Sequence, residues 1–186
     1  AIGTLLYARG ASPETSFEQL NLSNRDLVQQ VHVDYLNAGA EVITTNSFSG
    51  NRYKLENFGL EKEVWNINLW SAKIARTARE IAGHEAFIAG SVGPTGKLLP
   101  PVGDTKIEDL ETAFKHQMEG LLAGGVDLRE VHAGGGRQHA RGQGNAAVRL
   151  ACHQCAGHWY RGHRWGARRA FALRNSSHRS RRFARL

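Results

Sequence analysis

The stretch EVITTNSF, residues 41–48, decides the fold of this chain. Its first five residues form a short, mostly β-branched run, which is typical of a buried strand. The polar residues from Asn46 to Tyr53 then predict a loop. Just upstream, Asn24 favours a helix start and Gly39 favours a helix stop. The apolar face of that helix recurs at spacings of three or four, at Leu27, Val31, Tyr35 and Ala38.

The same alternation of helix and strand continues downstream. A helix is predicted over 60–82, stopped by Gly83, and it is followed by a strand over 86–89 and a Gly/Pro-rich loop over 90–104. The next helix is opened by a Thr105–Glu108 capping box and stopped by Gly124 and Gly125, and a strand starts at 126. This order predicts an α/β fold with a parallel sheet. Functional residues of such folds follow the carboxyl ends of the strands, here at 44–48 and 90–96. Both segments suit a small polar ligand.

Length and cysteine content narrow the class of protein. A chain of 186 residues suits one domain. Two cysteines cannot build a disulfide framework, so a reduced, cytoplasmic chain is expected. No apolar run approaches the ~18 residues of a membrane span, and no membrane partner is expected. Nucleotide binding is not indicated, because Ser91 and Leu98 break the phosphate-loop pattern around Gly96-Lys97.

The net charge of +7 averages two unlike pieces. Residues 1–128 hold 11 Lys and Arg against 16 Asp and Glu, whereas residues 129–186 hold 13 arginines, no lysine and one acid, Glu130. The first piece is predicted to be the folded domain. The second is predicted to be a basic, low-complexity, disordered tail.

Three interpretations of the tail remain open. A shifted reading frame in GC-rich DNA produces an excess of Arg, Gly, Ala, His and Trp, and the change of composition falls in the middle of a predicted strand. A basic tail with aromatic residues also binds polyanions, and would make the chain a nucleic-acid-binding protein. A small zinc site is the third interpretation, but the spacing of Cys152, Cys155, His158 and His163 is too short for a C2H2 finger.

Residues 1–128 resemble the homocysteine S-methyltransferase family, most closely bacterial forms joined to a methylenetetrahydrofolate reductase module or the homocysteine module of cobalamin-dependent methionine synthase. The matching segments are AIGTLL at 1–6, NLS at 21–23, DLV at 26–28, AGA at 38–40, ITTNSF at 43–48, FGLE at 58–61, AGSVGPTG at 89–96 and GGVDL at 124–128. No one of these motifs is diagnostic, but their order is specific to the family.

The resemblance implies a (β/α)8 TIM barrel, which needs about 250 residues, so this chain would supply about three βα units. It also implies methyl transfer to the thiolate of homocysteine, giving methionine. In the family a zinc ion held by three cysteines keeps the thiol ionised, and methylcobalamin or a methylfolate is among the donors. Thr45, Asn46, Ser91 and Gly93 are then predicted to bind homocysteine. The alternative for these four residues is strand-end capping and turn chemistry.

Departures from the family pattern limit what is expected of this chain. The family places Asp-Gly before the position of Ala1, and His132 stands where the fourth strand of the family has its Glu. Neither the Asn-Cys nor the Gly-Gly-Cys-Cys motif of the zinc ligands occurs. No catalytic or metal-ligating residue is therefore assigned. The chain is predicted to be a truncated, inactive fragment with exposed apolar strands.

Overall fold

The computed structural model describes residues 2–12 and 14–131, and the predicted tail with its three interpretations lies outside them, apart from its first three residues. In chain order the helices and strands are α1 (Ile2–Ala8), α2 (Leu20–Ser23), α3 (Arg25–Asn37), β1 (Val42–Thr44), α4 (Arg52–Leu55), α5 (Val64–Ala82), β2 (Phe87–Val92), α6 (Ile107–Gly124) and β3 (Leu128–Val131). Two 3-10 turns, Phe17–Gln19 and Glu56–Phe58, complete the set.

The three strands form one parallel sheet in the order β1-β2-β3. Ile43 pairs with Ile88 across the first junction, and Ser91 pairs with Glu130 across the second. Each strand is joined to the next through a long helix, α5 or α6. The predicted α/β class with about three βα units is confirmed.

Helix ends follow the predicted signals more closely than helix starts. The Asn24 side chain accepts a hydrogen bond from the Leu27 N–H and opens α3, and Gly83 and Gly125 end α5 and α6 with positive φ angles of 66° and 87°. The predicted capping box is wrong, because α6 begins at Ile107 and its N-cap residue is Lys106, whose side chain accepts no capping bond. Residue 105 therefore lies outside the helix.

The helix-facing side of the sheet holds the main core. Ile43, Ile88 and Val92 are buried there against α6 side chains such as Leu121. The helices α5 and α6 pack closely, since a Cβ on Gly124 would lie 2.5 Å from the Cβ of Ala72. Dense packing on this side fixes the positions at which β1 and β2 end.

The opposite side of the sheet is open at the start of the strands. Val42, Phe87 and Leu128 lie on this side by the strand register, and their exposed fractions are 50%, 54% and 41%. Apolar side chains are therefore exposed on this face of the sheet, whereas the exposure expected at the strand edges stays a prediction. Among the described residues, no helix combines the length and the apolar character of a membrane span.

Candidate substrate-binding site

A closed ring of hydrogen bonds joins the carboxyl ends of β1 and β2. The Ser91 N–H donates to Thr45 Oγ1 at 3.0 Å, and Ser47 Oγ donates to the Ser91 carbonyl at 2.7 Å. Thr45 Oγ1 and Ser47 Oγ lie 2.6 Å apart. Because the single hydroxyl hydrogen of Ser47 is used at the Ser91 carbonyl, Thr45 is the donor in this third bond. The hydroxyl of Thr45 thus fastens one strand end to the next.

Asn46, which follows in the chain, is held in a reciprocal pair with Asn21. The Asn21 Nδ2 donates to the Asn46 carbonyl at 2.7 Å, and the Asn46 Nδ2 donates to Asn21 Oδ1 at 3.1 Å. The Asn46 Nδ2 also donates to the Phe17 carbonyl at 2.7 Å. Both side chains are buried. The amide nitrogen of Asn46 therefore ties the loop after β1 to the segment before α3.

Two further polar side chains fix the loop after β1, and neither was predicted as part of the site. The buried carboxylate of Glu18 accepts the Ser49 N–H and the Ser16 hydroxyl, each at 2.8 Å. Gln117, fully buried on α6, donates through Nε2 to the Ser47 carbonyl at 2.7 Å. Buried hydrogen bonds of this kind make a loop rigid, although Gln117 Oε1 has no hydrogen-bond partner among the described residues.

Gly93 brings the loop after β2 against the loop after β1. Its N–H donates to the Phe48 carbonyl at 2.9 Å. A Cβ at position 93 would lie 2.4 Å from the same carbonyl oxygen, a distance that real Cβ atoms do not reach. Only glycine allows this approach of two backbones.

The Ser91 hydroxyl differs from the other groups of the predicted site. Ser91 is buried, and it lies on the same side of β2 as Phe87 and Ala89, the side that is open to solvent lower in the sheet. Its hydroxyl makes no hydrogen bond with a described residue. The structure therefore brings all four predicted residues to one edge of the sheet. Thr45 and Asn46 hold the loops there through their side chains, whereas Ser91 takes part through its backbone N–H and carbonyl.

The residues that the structure describes do not fit a metal site. Nowhere in 2–12 or 14–131 do three or more His, Cys, Asp or Glu side chains gather in a way that could hold an ion. Both cysteines of the sequence lie later, at 152 and 155. A zinc ion of the kind the family uses has no thiolate donors in this part of the chain.

Parallel βα units with polar groups at the carboxyl ends of the strands define part of an α/β barrel enzyme. The comparison with protein families identifies it further: the homocysteine S-methyltransferase family matches residues 1–131, and the chain belongs to this family. It is a methyltransferase family.

Similar proteins agree with this assignment. The chain is 31% identical to methionine synthase of Mycobacterium leprae over 113 residues, and 29% identical to that of Mycobacterium tuberculosis over the same length. These matches cover 59% of this chain but 9% of either relative, so the chain spans about a tenth of their length.

Solved structures of the homocysteine methyltransferase MmuM from Escherichia coli are also similar. The metallated form aligns with a TM-score of 0.66 at 26% identity, covering 83% of this chain and 58% of that one. The oxidized form aligns with a TM-score of 0.60 at 28% identity, covering 69% and 49%. These neighbours are TIM barrels.

Proposed function

We propose that this chain carries one part of a homocysteine-binding site and that, as a 186-residue chain, it forms no methionine. The observation that supports binding is the rigid polar edge of the sheet, built by residues that match a homocysteine S-methyltransferase family. The whole reaction of that family is methyl transfer to the homocysteine thiolate. We place the chain in the cytoplasm, in keeping with the few cysteines of the sequence.

In this proposal the four predicted residues bind homocysteine in different ways. The Ser91 hydroxyl contacts the polar end of homocysteine, because of the four predicted residues it is the one whose side-chain hydroxyl makes no hydrogen bond with a described residue. Thr45 and Asn46 keep β1 and its loop in place through their hydrogen bonds. Gly93 contributes by letting the loop after β2 lie against the Phe48 carbonyl, where any Cβ would collide with the backbone.

The absence of metal ligands from the described residues supports the inactive state. Zinc would supply thiol ionisation, by lowering the pKa of a bound thiol. Since the described residues provide no donor set for it, homocysteine would bind here as a thiol and remain a poor nucleophile. We also propose that the methyl donor of the complete enzyme is methylcobalamin or a methylfolate.

We further propose that the barrel sequence ends at residue 128 and that residues 129–186 come from a shifted reading frame. Arg129 supports this. It pairs with Gly90, at which a Cβ would meet Leu121 and Val126 of the core, so Arg129 stands at a core-facing position. Its Nη1 is buried without a hydrogen-bond partner among the described residues. A buried guanidinium nitrogen without a partner is costly, and family members place an apolar strand there.

Sequencing the DNA around the Leu128 codon tests the shifted frame. Restoring one base should recover a strand that ends in Glu-Thr and, later, Gly-Gly-Cys-Cys. If neither restored frame contains these motifs, the tail is a genuine part of the protein.

The binding proposal is tested by titrating L-homocysteine into the 15N-labelled 186-residue chain. We expect saturable shifts of the Thr45, Ser91 and Gly93 amides, with a dissociation constant on the order of 1 mM. Ser91→Ala should weaken binding about fivefold, whereas Ser23→Ala, at an exposed position of α2, should not. Shifts that miss the strand ends, or equal behaviour of the two variants, would contradict the assignment.

A further inference from the structure

Three cations, two from α4 and one from the loop after β2, lie close to Tyr53. The Arg52 guanidinium carbon and the Lys97 Nζ each lie 5.4 Å from the centroid of this ring. A Cβ on Gly96 would lie 3.1 Å from Lys54 Nζ, so the Lys54 ammonium group lies against Gly96, beside Lys97 in the chain. We call Arg52, Lys54, Lys97 and Tyr53 the Tyr53 cluster.

The positive charges of the Tyr53 cluster are not paired. The ion pairs found within residues 2–12 and 14–131 are Arg9–Asp34, Arg79–Asp127 and Lys115–Glu119, and none involves the cluster. Two acids lie close enough to act on the Tyr53 ring, Asp109 on α6 and Glu56 after α4. Arg52 is the cation that acts on Tyr53 together with these acids, and Lys54 and Lys97 add two ammonium groups beside it that no ion pair of the described residues involves.

Tyr53 adds a hydrogen-bond donor to the cluster. Its ring is half-buried and packs against the main core of the sheet, so its position is fixed. Burial raises the pKa of Tyr53 above its usual value; the Asp109 and Glu56 carboxylates raise it further, while Arg52 lowers it. The phenol is thus protonated at neutral pH and can donate to an anion.

The location of the cluster is that of a ligand site. Arg52 and Lys54 follow β1, and Lys97 follows β2, so the cluster stands at the carboxyl edge of the sheet on which Thr45 and Ser91 also lie. In parallel α/β folds this edge is the one that receives ligands. Homocysteine does not require the cluster, because the Ser91 hydroxyl and the strand-end ring lie elsewhere on the edge.

We propose that the Tyr53 cluster binds a small molecule with two or more anionic oxygen groups, carboxylate or phosphate. The inference goes beyond homocysteine binding and does not depend on it. Lysine and arginine provide point charges and forked donors for such groups, and the phenol provides a third kind of contact.

The test is an NMR titration of the 15N-labelled 186-residue chain with tricarballylate in one arm and pyrophosphate in the other, at about 0.15 M NaCl. We expect saturable shifts of the amides of residues 52–54 and 96–97 in at least one arm, and the tighter arm identifies the carboxylate or phosphate source. The arginines after residue 128 attract the same anions, so the readout is the shift at individual amides and not total binding.

Two double variants with the same change of charge provide the comparison. K54Q/K97Q should weaken the saturable shifts about fivefold, and K62Q/K115Q, with both lysines away from the cluster, should leave them unchanged. Asp109→Asn removes an acid at the Tyr53 ring and should tighten binding about twofold. If K54Q/K97Q does not fold, the Asp109→Asn variant still tests the proposal. Equal weakening in both double variants, no tightening in Asp109→Asn, or shifts spread evenly along the chain overturns the proposal.

Discussion

Replacing Thr45 by valine tests whether its hydroxyl fastens β1 to β2. Valine keeps the shape of threonine but removes the acceptor of the buried Ser91 N–H and the donor to Ser47. A buried N–H left without a partner costs about 1–3 kcal/mol, and the lost bond to Ser47 adds less. We expect a loss of about 2 kcal/mol in the free energy of unfolding.

The measurement is urea unfolding of the full chain, followed by circular dichroism. A slope of about 1–3 kcal/mol per molar converts the expected loss into a fall of the midpoint by roughly 1 M. Thr44→Val is the matched control, because the half-buried Thr44 hydroxyl makes no hydrogen bond with a described residue. Its effect should stay within about 0.5 kcal/mol.

A double-mutant cycle with Ser47→Ala extends the test. Thr45 and Ser47 belong to one ring of hydrogen bonds. The double variant should therefore lose about 1 kcal/mol less stability than the sum of the losses in the two single variants. The ring of hydrogen bonds is refuted if Thr45→Val and Thr44→Val unfold at the same urea midpoint. It is also refuted if the effects of Thr45→Val and Ser47→Ala are additive.

Three other perturbations have defined outcomes. Burial lowers the pKa of His32 from 6.5 to about 4, so the folded chain favours the neutral imidazole. The contribution of this preference to the free energy of unfolding is complete above pH 6.5 and is lost as the pH falls toward 4. Unfolding at about pH 7.5 and about pH 5 should show roughly 2 kcal/mol of pH-dependent stability that His32→Leu removes, and an unchanged pH profile in this variant contradicts the assignment. Gly93→Ala should cost about 3 kcal/mol because of its collision with the Phe48 carbonyl, while Gly3→Ala, whose Cβ would make ordinary contact with Phe17 at 3.4 Å, should be nearly neutral; equal melting temperatures would speak against the close approach. Phe87→Ser removes an exposed apolar side chain, so the chain should stay monodisperse in light scattering up to a higher concentration. If that concentration falls instead, the open side of the sheet is covered.

Local signals in the sequence predict most of the fold. The β-branched run before Thr45 predicts β1, and glycines at 39, 83 and 125 stop helices because they adopt positive φ angles. The start of α6 could not be predicted in the same way. Thr105 and Glu108 have the spacing of a capping box, but the helix begins one residue after Lys106, without a side-chain cap.

The candidate site was predictable only at the strand ends. The rule that ligands bind at the carboxyl edge of a parallel sheet indicates residues 44–48 and 90–96, and the family resemblance predicts Thr45, Asn46, Ser91 and Gly93 within them. The side chains that hold them in place lie far away in the chain: Asn21 is 25 residues from Asn46, and Gln117 is 70 residues from Ser47. Such pairs have no local pattern, because tertiary packing alone brings them together.

Methionine formation by the purified 186-residue chain tests the central claim most directly. The assay supplies L-homocysteine, zinc, and either S-methylmethionine, methylcobalamin or methyltetrahydrofolate, with the Escherichia coli homocysteine methyltransferase as positive control. The chain matches the family over residues 1–131 but has no metal-ligand cluster among its described residues. We therefore expect no methionine above the protein-free background with any donor. Methionine formation that requires both the chain and zinc would contradict this account.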